Sequence, residues 1–98
     1  MTKEQIEADY QLRKAELNKQ ITDLEQKMQE ASAKSRNKLE GMLDTIKEKR
    51  DNLREKGEEL KESSSESWNK VAKSISDTTS QIEMEMQKLG KELEEAIH

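Results

Sequence analysis

The sequence predicts an all-α fold, an elongated antiparallel helical hairpin or coiled coil with a long first helix, and three observations carry that expectation. The 98 residues include no Pro and no Phe and are rich in Glu, Lys, Gln, Leu and Met, side chains that lose little freedom on entering a helix. Apolar residues make up 30% and charged residues 41%, too few for the thick core of an ordinary globular domain but enough for a narrow helical seam. The apolar positions recur at helical spacing, which separates this chain from a disordered tail of similar polarity.

The N-terminal part follows a heptad rule. Tyr10, Leu17, Leu24 and Ala31 stand seven apart and interleave with Ile21, Met28 and Ser35, as in the a and d positions of a coiled coil. Lys14 occupies one site of that seam. Between Ala31 and Met42 the pattern slips by a stutter, and an eleven-residue rule takes over. Met42, Leu53, Ser64, Ile75, Met86 and Ile97 form one column of it. Leu60, Val71, Ile82 and Leu93 form a second, and Ile46, Gly57, Trp68, Thr79 and Gly90 a third. Eleven residues over three turns is about 3.67 per turn, so this seam stays in line on a nearly straight helix.

Three consecutive serines, Ser63 to Ser65, signal a turn, and Ser63 stands three before Glu66 in capping-box spacing. The expected organisation is a single helical unit over residues 1–98, with a long helix over 3–62, a turn over 63–65 and a second helix over 66–97. Folded about Ser64, the hairpin seam pairs Leu60 with Trp68, Leu53 with Ile75, Ile46 with Ile82, Met42 with Met86 and Leu39 with Leu89. Gly57 falls opposite Val71, and Leu93 extends the seam on the second helix. Residues 31–37 are a weaker break, with Ser and Asn but neither Gly nor Pro. A turn there would give the alternative, a three-helix spectrin-like bundle. The continuous form is preferred because the seams are narrow for helices with two neighbours each. It makes the first helix about 90 Å long. Its overhanging half exposes Tyr10, Leu17, Ile21, Leu24 and Met28 as an oligomer interface, for a homo-dimer or homo-tetramer or for a helix of another protein.

Little in the chain points to chemistry. There is no Cys, and His98 is the only histidine, so thiolate sites and imidazole-based triads have no residues to build them. Neither a catalytic, a cofactor nor a metal site is expected. Met84 and Met86 point to different sides of a helix, and Glu92, Glu94 and Glu95 read as a solvated face rather than a cation loop. Trp68 reads as the anchor that closes the hairpin. Of Gly41, Gly57 and Gly90, the last two share a column, for which close helix approach and simple tolerance of glycine are equal explanations. The formal charge of −4 concentrates in residues 63–98, with 4 basic against 7 acidic side chains. That balance disfavours nucleic acid and anionic membranes. No apolar leader follows Met1, so a cytoplasmic location is the expectation.

The run from Asp51 to Glu62, followed by the serine-rich turn and Trp68, resembles small bacterial coiled-coil proteins of unknown function, a likeness that implies no activity. The eleven-residue seam is similar to the amphipathic repeats of exchangeable apolipoproteins and of late-embryogenesis-abundant stress proteins, without the proline punctuation of the former. The expected function is therefore a non-enzymatic structural or interaction protein that self-associates through helix seams. Reversible binding to a lipid or other apolar surface is the second expectation, and a disordered stress protectant the third.

Overall fold

The computed structural model describes residues 2–97, which form three helices: α1 (Lys3–Met28), α2 (Ala33–Glu62) and α3 (Trp68–Ile97). His98 lies outside the described residues. The chain is all-α, as its composition predicts, and elongated, measuring 50 × 17 × 16 Å. Helices of 26, 30 and 30 residues are about 39–45 Å long, so all three run the length of the molecule. α2 packs antiparallel to both neighbours, and α1 and α3 lie parallel.

The long first helix does not form. α1 ends at Met28 and α2 begins at Ala33, so the chain adopts the three-helix alternative. Thr2 opens α1 with a full capping box: its hydroxyl accepts from the Gln5 N–H at 3.2 Å, and the Gln5 side chain accepts from the Thr2 N–H at 2.9 Å. At the other end, the N–H groups of Gln29, Glu30 and Ala31 bond to carbonyls three residues back. Ser32 then turns extended, at φ −64° and ψ 155°, and caps α2 by accepting from the Ser35 N–H at 3.4 Å. Arg36 completes the turn by donating to the carbonyls of Gln29 and Ala31, both at 3.1 Å. A guanidinium from the start of α2 thus satisfies carbonyls left orphaned where α1 stops.

The second turn sits where the serines place it but is longer. Ser63 is the C-cap of α2, its hydroxyl donating to the Glu59 carbonyl, and α3 starts at Trp68 rather than at residue 66. The capping box between Ser63 and Glu66 does not form, because the Ser63 hydroxyl is turned back toward α2. Trp68 bridges this turn by donating from Nε1 to the Ser63 carbonyl at 3.2 Å.

One core runs through the bundle. Ile46, Leu53, Leu60, Ile75, Ile82, Met86, Leu89 and Leu93 of the predicted hairpin seam are buried in it, while Met42, Trp68 and Val71 pack half-buried at its edge. Lys38 reaches Glu92 at 3.2 Å and Lys49 reaches Glu85 at 3.6 Å across α2 and α3, as the antiparallel pairing requires. Tyr10, Leu17, Ile21 and Met28 enter the same core. These four are therefore not an exposed oligomer interface. Once α1 folds back at Ser32, the heptad seam finds its partner within its own chain. Leu24 alone of that group remains half-exposed.

Candidate functional site

The bundle's three interfaces are unequal. α2 and α3 pack most extensively, and α1 meets α3 least. The cause lies in α1, whose apolar side chains are the least segregated of the three helices: Leu12 is 61% exposed on its outer face, while Tyr10 and Leu17 point inward. A helix that divides its apolar residues between two faces cannot close both of its inner flanks.

The opening that results is a groove of about 790 Å³ between the C-terminal halves of α1 and α3. Met86 forms its floor and Leu24 one wall. Asp23, Glu30 and Glu83 stand on the rim with Lys27 as the one base among them, so the groove combines an apolar strip with a net negative border. Its remaining lining is glutamine. Met86 is buried while Met84 is 59% exposed, so the two methionines face different ways and form no joint site. Among the described residues, no group of three or more His, Asp or Glu side chains is placed to hold a metal ion.

Halfway along the bundle, the core turns polar. Lys14 of α1 and Arg50 of α2 both occupy seam positions, and the antiparallel register that joins Lys3 to the Lys61 carbonyl and Glu25 to Lys47 sets them near one level. Arg50 Nε is buried without a partner, and its guanidinium lies 3.7 Å from Asp51. Thr78 and Thr79 of α3 are buried, and each returns its hydroxyl to the carbonyl four residues earlier, both at 2.8 Å. These hydroxyls are self-satisfied, so the layer interrupts the apolar core without building a cluster that could activate a substrate.

Tyr10 lies one turn of α1 beyond this layer, toward the Ser63 end of the bundle. Its ring covers Gly57 of α2 so tightly that a β-carbon there would overlap the ring. The close approach read from the glycine column is real at Gly57, but the partner is Tyr10 of α1 and not Val71 of α3. Gly90, on the same column, and Gly41 face open space. Burial pushes the Tyr10 phenol above its ordinary range; the nearby Arg54 opposes this and Glu58 adds to it.

Leu43, Ile6 and Thr78 are core residues that sequence reasoning missed, while Thr79 is buried as its place on the third column of the seam implies. Leu43 stands four after Leu39 and three before Ile46, so continuing the heptad rule from Leu39 would have found it. No helix among the described residues is long and apolar enough to cross a membrane. Comparison of the chain with protein-family models, with curated proteins and with solved structures returns no match.

Proposed function

We propose that this protein is a non-enzymatic structural and interaction protein that works by helix-to-helix contact, with the α1–α3 groove as the surface that receives a partner helix. The groove carries this reading: Leu24 and Met86 offer an apolar strip, and Asp23, Glu30 and Glu83 border it with negative charge. The partner that fits is an amphipathic helix whose apolar ridge is flanked by Lys or Arg, because such a ridge fills the strip while its flanks meet the acidic rim. The test is binding of a fluorescent Leu/Lys amphipathic peptide, followed by anisotropy. Leu24→Lys should weaken it by about tenfold or more, as loss of a central apolar anchor does, with the melting temperature little changed. Equal binding by wild type and Leu24→Lys would contradict the assignment.

A second reading, reversible adsorption to an apolar surface, is favoured by α3, whose apolar and polar faces are the most sharply separated in the chain. α3 follows the serine-rich turn, and its release would carry Ile75, Ile82, Leu89 and Leu93 onto the surface as one stripe. Zwitterionic vesicles should then shift Trp68 emission to the blue, and an unchanged spectrum would exclude this reading.

A further inference from the structure

We propose that at high concentration α1 exchanges between two copies of this chain, giving a dimer in which α1 and α2 of each copy join into one continuous helix, in balance with the closed single chain of dilute solution. This goes beyond the groove reading and stands on different residues. The turn between α1 and α2 is nearly a helix already. Gln29 keeps αR geometry at φ −66° and ψ −21°, and the N–H groups of residues 29–31 remain bonded three residues back. Ser32, with ψ 155°, is where the path leaves the helix. No described residue has positive φ, and residues 29–40 contain neither Gly nor Pro. Rotating Ser32 into the αR region therefore straightens the two helices with no residue resisting.

What α1 gives up in one copy it regains in the other. In the closed chain, its seam residues Tyr10, Leu17, Ile21 and Met28 are buried against α2 and α3. In the exchanged dimer the same side chains meet the same surfaces of the second copy, including the fit of Tyr10 on Gly57, so complementarity is met by identity. Because α1 runs antiparallel to α2, the two continuous helices lie antiparallel over their whole length, and each α3 covers one half. The polar contacts at the turn set the balance. Closing makes the Arg36 bonds to Gln29 and Ala31 and the Ser32 cap; opening replaces them with backbone bonds of a continuous helix. α1 is also the helix with the least extensive packing, the one released at least loss.

Two variants push this balance in opposite directions. Ser32→Ala with Arg36→Ala removes the contacts that hold the turn and favours the continuous helix. Ala33→Pro fits the closed turn, because position 33 opens α2 and follows an extended Ser32, yet it interrupts a continuous helix. Glu30→Gly with Ser32→Gly, both at exposed positions, weakens the continuous helix by a separate route. Each protein is refolded from denaturant at low and at high concentration, and its mass is measured by light scattering. The expected result is twice the chain mass for Ser32→Ala/Arg36→Ala at high concentration, and a single-chain mass with unchanged helicity for Ala33→Pro and for the glycine variant. A dimer that persists in both blocking variants, or a single-chain mass for Ser32→Ala/Arg36→Ala at every concentration, would overturn the exchange. Leu24→Lys separates the two proposals, since it alters the groove and leaves the hinge untouched.

Discussion

The ring of Tyr10 on α1 rests against the bare backbone of Gly57 on α2, leaving no room for a β-carbon there. This contact fixes how closely the two helices approach near one end of the bundle. Gly57→Ala should therefore destabilise the protein by about 1 kcal/mol or more, although alanine is the better helix former, because overpacking outweighs the propensity gain. In a Tyr10→Leu background the same substitution should become neutral or stabilising. Denaturant unfolding of the four proteins of this cycle measures the coupling.

Gly41 and Gly90 provide the contrast. A β-carbon at either position meets nothing within 4 Å, so only helix propensity operates. Gly41→Ala and Gly90→Ala should each raise stability by up to about 1 kcal/mol and should add when combined. Thermal melts of the two single variants and the double variant read this directly.

The difference among the glycines shows what the sequence disclosed. All three are legible as weak points of a helix, but which one marks a contact depends on the packing of α1, and that was not legible. The α2–α3 hairpin could be read in advance because serines mark its turn and the seams match across it. The turn at Ser32 could not, since its residues tolerate a helix and the Arg36 bonds that close it exist only once the chain has folded back. For the same reason Tyr10, Leu17, Ile21 and Met28 read as a surface: their partner is their own chain. The groove was invisible because it arises from Leu12 and Leu24 failing to share the inner face of α1, a property of three helices together.

Tyr10 also gives the bundle an alkaline limit. Its folded pKa is raised by burial, so the folded state holds the phenolic proton where the unfolded state has begun to lose it. The stabilisation is complete below the ordinary tyrosine pKa, near 10, and is lost as pH rises through the folded value. Tyr10→Phe should remove this part of the decline. Urea midpoints for the two proteins should converge or cross as pH rises past the ordinary tyrosine pKa, and parallel curves would contradict the assignment.

Arg50 spends stability at a seam position. Its Nε is buried with no partner, and its nearest carboxylate, Asp51, is only 3.7 Å from the guanidinium. Arg50→Leu should extend the apolar seam and remove an unsatisfied donor, raising stability by about 1–2 kcal/mol. Urea unfolding with an unchanged m-value would confirm that the gain belongs to the folded state.

The central claim is that α1 folds back at Ser32 and buries its seam within its own chain. Small-angle X-ray scattering on dilute wild-type protein, with the particle mass measured on the same sample, tests it most directly. The three-helix bundle predicts a single-chain particle with a radius of gyration near the 15.6 Å of its Cα trace and a long dimension near 50 Å. A single-chain particle about 90 Å long, the length of an unbroken helix over residues 3–62, would contradict it.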